Sequence, residues 1–291
     1  MEKKLEEGLL SVVGTPIGNL SDASPRVLDT LRGSDLLLCE DTRVTSKLLA
    51  HFGIRVTLHR ADENVIAQRV EGVLARLREG QHVSFVSDAG MPGVSDPGRV
   101  LVDAALDAGA RVEVIPGPSA AICALVASGL PMEHFFFEGF LPRRHGQQLE
   151  RLRALAPIPG ALVLYESPHR VAATLVCVAE AFPARRVALV RELTKLHEEV
   201  LRGLSSDLAT QVAERGELKG ECAIVIEGPG EEELRQLSSA AGPSLEEEMG
   251  RALAAGEPKS VLAKRLAKQF GRPRSEVYDL VLAQSGNTEG H

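Results

Sequence analysis

Tryptophan is absent and only two tyrosines occur among 291 residues. Platforms on which bases could stack are therefore scarce, and any affinity for nucleic acid has to rest mainly on phosphate contacts. Cysteine is equally sparse. Cys39, Cys123, Cys177 and Cys222 lie far apart, show no C-x-x-C spacing and sit mostly inside apolar runs, which excludes a thiolate metal knuckle and reads as reduced core. No stretch approaches the roughly 20 apolar residues that cross a bilayer. The charged start, Met1 to Gly8, lacks the apolar core of a signal peptide, so a cytoplasmic address without membrane attachment is expected. Positive charge is not in excess either: the formal net charge is −7 and the pI is ≈ 5.7. That balance argues against a wholly basic nucleic-acid coat but leaves room for a local basic patch.

What the chain does have is a set of three loops built from glycine, proline and aspartate, each following a short apolar run. Val12-Val13 leads into Gly14-Thr15-Pro16-Ile17-Gly18-Asn19-Leu20, Phe85-Val86 into Ser87-Asp88-Ala89-Gly90-Met91-Pro92-Gly93, and Val114-Ile115 into Pro116-Gly117-Pro118-Ser119-Ala120. Residues this bare or this rigid at strand ends let backbone come close to a ligand, and three such loops point to one cleft. The first loop, with Glu40-Asp41 after the next strand, resembles a dinucleotide site only in part. Pro16 removes an amide donor, the helix starts only near Pro25, and no Gly-Lys-Ser/Thr follows, so a neutral or cationic ligand suits the loop better than a polyphosphate.

Apolar runs of strand length at Leu9 to Val13, Leu36 to Cys39, His82 to Val86 and Arg111 to Ile115 alternate with helical patterns, the signature of an α/β layer with a largely parallel sheet. Ser24-Pro25 reads as the cap and first residue of a helix that Gly33 stops, and Gly98 to Ala108 repeats the pattern. Further strands near Phe135 to Glu138, Ala161 to Tyr165, Arg186 to Val190 and Cys222 to Glu227 make a second α/β domain. Phe135-Phe136-Phe137 reads as core. The expected division is 1–118 and 119–230 for the two domains, 231–243 for an acidic, small-residue linker, and 244–286 for a helical module. In that module Leu262, Leu266 and Phe270 recur every four residues, Gly271 supplies a turn and Ser275 caps a last helix, a pattern resembling a helix-turn-helix. Lys259, Lys264, Arg265, Lys268, Arg272 and Arg274 crowd the same stretch with no acid between Pro258 and Ser275, which is either a solvated face or a nucleic-acid contact.

Four ordered blocks carry a resemblance: Val12 to Leu20, Ser87 to Gly98, Pro116 to Ala120, and Tyr165-Glu166-Ser167-Pro168-His169-Arg170. From about Leu9 to Gly228 the chain resembles the tetrapyrrole methylase superfamily, and specifically its branch that methylates small-subunit ribosomal RNA; the tail resembles that branch's C-terminal module. The resemblance implies two α/β domains with a cofactor cleft between them and a small C-terminal helical module. It implies 2′-O-methylation of a cytidine in the decoding region of 16S ribosomal RNA, S-adenosylmethionine as donor, no metal, and a homodimer. Carried over by position, it assigns the cofactor to Gly14, Thr15, Pro16, Ile17, Gly18, Asp88, Gly90, Met91, Ser119, Ala120 and Tyr165. Relatives that methylate tetrapyrroles show G-x-G-x-G-D in the first loop, where this chain has Gly14-Thr15-Pro16-Ile17-Gly18-Asn19.

Two polar segments after strands of the second domain offer Glu166, His169, Arg170, Arg191, Glu192 and Lys195 as base or orienting groups. Glu166 and Lys195 are the catalytic candidates, the lysine on condition that burial or a neighbouring cation lowers its pKa. Arg191 and Lys195 share a face if that segment is helical. RNA is expected over Arg43, Lys47, Arg143, Arg144, Arg170 and Arg191, with Lys264, Arg265, Lys268 and Arg272 of the tail as a second clamp. Two alternatives stay open: a tetrapyrrole C-methylase whose cleft holds a polyanionic macrocycle, and a ligand-sensing regulator whose tail reads DNA.

Overall fold

In the computed structural model, which describes residues 8–93, 98–240 and 245–288, the chain divides into units 1–228 and 229–291. The first unit begins with β1 (Leu9–Val13), α1 (Pro25–Gly33), β2 (Leu36–Cys39), α2 (Thr42–His51), β3 (Leu58–Arg60), α3 (Ile66–Arg78), β4 (His82–Val86), α4 (Gly98–Asp107) and β5 (Arg111–Ile115). Its five strands are all parallel, in the order β3-β2-β4-β1-β5. Helices cover both faces, so central strands are continuous apolar runs rather than alternating ones. Leu36 and Leu38 face α3 and α4 with Val73, Leu77 and Leu101. Leu37 and Cys39 face α1 and α2 with Val27, Leu31 and Leu48. The predicted helix start is there: Pro25 opens α1 and the Ser24 side chain accepts from the Val27 amide. The edge strand β3 has only three half-exposed or exposed residues and no apolar run to announce it.

The unit continues with α5 (Ala120–Ser128), β6 (Phe135–Phe140), α6 (His145–Leu155), β7 (Ala161–Glu166), α7 (Val171–Ala181), β8 (Arg186–Arg191), β9 (Glu199–Leu204), α8 (Ser205–Glu214) and β10 (Cys222–Ile226). The second sheet runs β6-β7-β10-β8-β9, and only β6 and β7 are parallel. The α/β layering agrees with the sequence pattern, and this second sheet is mixed. Helix α5 packs on this sheet through Ala121, Ala124 and Leu125. The Phe135–Phe137 run is less buried than expected: Phe135 is 45% exposed, and Phe137 is half-buried against Tyr165.

The second unit contains α9 (Glu231–Ala240), α10 (Leu245–Ala254), α11 (Lys259–Phe270) and α12 (Arg274–Thr288). The stretch read as a linker is therefore helical over Glu231–Ala240, while 241–243 lies outside the described residues. Met249, Leu262, Leu266, Val277 and Val281 form a small core. Gly271, at φ 64°, ends α11 in the left-handed region that favours glycine. Ser275 does not cap α12: the helix starts one residue earlier, and the Val277 amide donates to Pro273 O. No described helix is long and apolar enough to cross a membrane.

Candidate active site

The three glycine, proline and aspartate loops converge. Thr15 and Gly90 exchange both backbone hydrogen bonds, 2.9 and 3.1 Å, as an isolated bridge between the first and second loops. The Gly14 amide donates to Ile115 O, and the Gly117 amide donates to the Met91 sulfur at 3.2 Å. Gly14 and Gly117 meet backbone to backbone: a Cβ on Gly14 would lie 2.6 Å from Gly117 N, closer than any side chain permits. The glycines are needed because these chain segments touch. Of the Ser87 to Gly98 block, Val94, Ser95, Asp96 and Pro97 lie outside the described residues.

A cavity of ≈ 390 Å³ opens beside this junction, within the range of roughly 300–1,000 Å³ typical of small-molecule sites. The first half contributes Ile17, Ala89, Gly90 and Met91, and α5 begins at its wall with Ser119 and Ala120. The second sheet contributes Phe140, Tyr165, Glu166, Val190, Cys222 and Ala223, helped by Ser167, Pro168, Leu193, Gly220 and Glu221. These residues share one edge because β10 runs antiparallel to its neighbours: Cys222 pairs with Glu166 on one side and with Arg191 on the other. Tyr165 stacks edge-on against Phe137 and Phe140, and its hydroxyl accepts from the Ala121 amide at 3.0 Å. Burial pushes the phenol's pKa up. The Cys222 thiol is held at about 11, chiefly by burial, with Arg191 opposing.

Six of the cofactor candidates, Ile17, Gly90, Met91, Ser119, Ala120 and Tyr165, line the cavity; Gly14, Thr15, Pro16, Gly18 and Asp88 do not. Gly18 lies under the 192–195 turn, where a Cβ would come 2.6 Å from Lys195 Cγ and 2.8 Å from Thr194 Oγ1. Asp88 joins the Glu40-Asp41 corner, accepting from the Asp41 amide at 2.9 Å while its own amide donates to Glu40. Phe140, Gly220 and Glu221 carry no sign of a site in the sequence, and Cys222 reads there only as core. Only the bulged end of β6 and the pairing of β10 bring them here.

The segment after Arg191 is a strained turn, not a helix: Glu192 and Thr194 have φ of 52° and 65°. Arg191 and Lys195 consequently share no helical face. Arg191 is paired with Glu199 at 3.0 Å and donates to Lys219 O. Lys195 Nζ lies 2.7 Å from Glu192 and 2.9 Å from Glu221. Burial pulls its pKa down, but the two carboxylates outweigh burial and the net displacement is upward. That is the opposite of what a lysine base requires. Glu166 is almost completely buried and already engaged: it accepts from the Ser167 amide at 2.7 Å and Thr174 Oγ1 at 2.7 Å, and pairs with Arg170 at 3.1 Å. His169 is exposed and sits 2.9 Å from Glu217.

Among the cationic candidates, Arg43 is tied to Asp41, whose pKa its hydrogen bonds lower to about 2. Arg265 pairs with Glu257 and Glu248, and Arg272 with Glu276. Lys47, Arg143, Arg144, Lys264 and Lys268 are exposed. No group of three or more His, Cys, Asp or Glu among the described residues could hold a metal ion. Cys39, Cys177 and Cys222 are buried thiols, and Cys123 is half-buried.

Residues 9–209 match the family model of the tetrapyrrole (corrin/porphyrin) methylases. Over 280 residues the chain is 43% identical to the ribosomal RNA small subunit methyltransferase I of Xylella fastidiosa, covering 93% of this chain and 98% of that one. The protein of that name from Mesorhizobium japonicum is 42% identical over 277 residues, 95% of this chain and 92% of its own. Among solved structures, uroporphyrin-III-C-methyltransferase from Thermus thermophilus superposes with a TM-score of 0.54 at 24% identity, covering 81% of this chain and all of that one, a likeness of fold.

Proposed function

The chain belongs to the tetrapyrrole methylases and, within them, to the ribosomal RNA small subunit methyltransferase I family, and on that premise we propose that it transfers a methyl group from S-adenosylmethionine to 16S ribosomal RNA. The observation that carries the reading is the meeting of three loops of the first half with the edge of the second sheet around one mainly apolar cavity. When bound, S-adenosylmethionine supplies a methyl group activated by its sulfonium. The cavity suits it: an apolar wall from Ile17, Met91, Phe140, Val190 and Leu193 excludes water, and few polar groups, among them the Tyr165 hydroxyl and Ser119, are there to orient a ligand. Gly90, at φ 80° in that wall, brings bare backbone to the ligand. Gly14 and Thr15 hold the loops together through Ile115, Gly117 and Gly90, and Asp88 ties the second loop to the Glu40-Asp41 corner.

The acceptor we propose is the 2′-hydroxyl of a cytidine in the decoding region. Holding that oxygen in line supplies roughly 7 to 11 kcal/mol, whereas a general base adds only about 10²- to 10⁴-fold in rate. With Glu166 enclosed by three partners and Lys195 held as a cation between two carboxylates, alignment is the main contribution of this chain. The exposed cations Lys47, Arg144, Lys264 and Lys268 serve RNA phosphates, and the enzyme meets the small subunit in the cytoplasm. Two copies pair: Ile122 and Val126 on α5 and Val114 on β5 are 45%, 60% and 55% exposed, which supports a second chain covering them.

Incubation of the protein and labelled S-adenosylmethionine with small ribosomal subunits, and separately with a precorrin-type macrocycle, tests the assignment. Label is expected in a ribose of 16S RNA; label in the macrocycle alone, or in neither, refutes it. A monomer in sedimentation at micromolar concentration refutes the pairing.

A further inference from the structure

A wider groove of ≈ 810 Å³ adjoins the cavity, sharing Phe140, Glu166 and Ser167 with it. Its own lining adds Arg143, Arg151 and Arg170. The three arginines differ in how much binding capacity they retain. Arg151 is closed by Glu138 in a two-toothed pair at 2.6 and 2.7 Å. Arg143 makes no hydrogen bond or ion pair with any described residue. In Arg170 a single nitrogen, Nη2, makes every contact: Glu166 at 3.1 Å, Leu141 O at 3.0 Å and Pro142 O at 3.3 Å. Nε and Nη1 have no partner among the described residues, although a guanidinium carries five N–H donors in a rigid fork.

The brace behind Arg170 is unusually complete. Glu166 is 3% exposed, and its other contacts are the Ser167 amide and Thr174 Oγ1, which itself receives a hydrogen bond from the buried Gln148 amide at 3.0 Å. A buried carboxylate with that many donors is held in one place. It fixes one edge of a guanidinium whose remaining donors line a groove beside the methyl-transfer cavity. A fork held this way is built for a tetrahedral oxyanion.

We infer that this groove is the subsite for the RNA backbone next to the reacting ribose, where Arg170 grips one phosphodiester, Arg143 assists, and Glu166 is a positioning residue rather than a base. The inference rests on the methyltransferase reading above and deepens it.

The test uses the full-length protein, small ribosomal subunits and labelled S-adenosylmethionine, with adenosylhomocysteine binding measured separately by calorimetry. Methylation by the wild type establishes the reading; the variants then address the groove. Arg170→Lys and Arg143→Ala are expected to raise KM for the subunit roughly ten-fold each, the scale of one charge-assisted hydrogen bond. Arg143→Ala, which removes a charge, is expected to reduce the slope of log affinity against log salt by about one, as for one lost phosphate contact, whereas Arg170→Lys keeps its charge and is expected to leave the slope unchanged. Glu166→Gln is expected to reproduce the KM effect of Arg170→Lys. In the two arginine variants adenosylhomocysteine affinity is expected to change less than about two-fold, since neither side chain lines the cofactor cavity. An unchanged KM in both arginine variants, with an unchanged salt slope in Arg143→Ala, overturns the inference. So does a parallel loss of cofactor binding, which is the mark of a purely structural role. A wild type that methylates no small-subunit RNA removes the assignment and the subsite with it.

Discussion

Replacing Tyr165 by phenylalanine removes one oxygen and separates two roles of this side chain. The hydroxyl accepts from the Ala121 amide at 3.0 Å, in the first turn of α5, where Ser119 at the cap position makes no side-chain bond to the helix. Ala121 is 4% exposed, so its amide is left without a partner. An orphaned buried donor costs about 1 to 3 kcal/mol, and in a unit of this size each kcal/mol lowers Tm by roughly 2 to 4 °C. The ring remains, and with it the edge contacts to Phe137 and Phe140 at 4.9 and 5.8 Å between centroids, so a larger loss is not expected. The same hydroxyl keeps its proton at working pH, because burial raises its pKa, and that proton is available to a ligand in the cavity. Adenosylhomocysteine binding should therefore weaken roughly three- to ten-fold, one neutral hydrogen bond. Urea unfolding followed by circular dichroism reads the first effect and calorimetry the second. A variant as stable as the wild type refutes the capping argument even if binding falls; unchanged stability and unchanged affinity refute both.

The glycine contact gives a paired test. Gly117→Ala puts a Cβ 2.7 Å from the Gly14 backbone and is expected to force the loops apart, abolishing adenosylhomocysteine binding at a cost of about 1 to 3 kcal/mol. Gly72→Ala, in α3 with nothing within 4 Å, should instead stabilise by roughly 0.5 to 1 kcal/mol and leave binding intact; calorimetry and urea titration distinguish the two. Because the Cys222 thiol is raised to about 11 in the folded chain, against roughly 8.5 when unfolded, its contribution is complete below pH 8.5 and is lost as pH climbs toward 11. Cys222→Ala should thus flatten part of the alkaline decline in urea midpoint, and an identical decline in both proteins counts against burial as the cause. The double substitution Lys264→Glu with Lys268→Glu, at two exposed positions of α11, is expected to raise KM for the ribosomal subunit and reduce its salt dependence without moving Tm. A KM equal to that of the wild type would exclude α11 from the RNA path.

Local physics was legible along the chain. Ser24 and Pro25 announce α1 because cap and first-turn geometry are set within four residues. Leu36–Cys39 and His82–Val86 are recognisable as strands because burial on both faces demands a continuous apolar run. The bare loops at Gly14, Gly90 and Gly117 point to close approach before any partner is known. What the chain could not reveal depends on pairing across long separations. Cys222 comes beside Glu166 and Arg191 only through the antiparallel register of β10, so Gly220, Glu221 and Cys222 belong to the cavity without any local sign. The 192–195 segment is a turn at positive φ rather than a helix because it bridges β8 to β9 while packing on Gly18, a neighbour more than 170 residues away along the chain. What Glu166 and Lys195 touch is set by the same kind of contact. The sequence names the charged groups, but the pairing of Glu166 with Arg170, and the balance at Lys195 of burial against Glu192 and Glu221, exist only once the strands have been laid side by side.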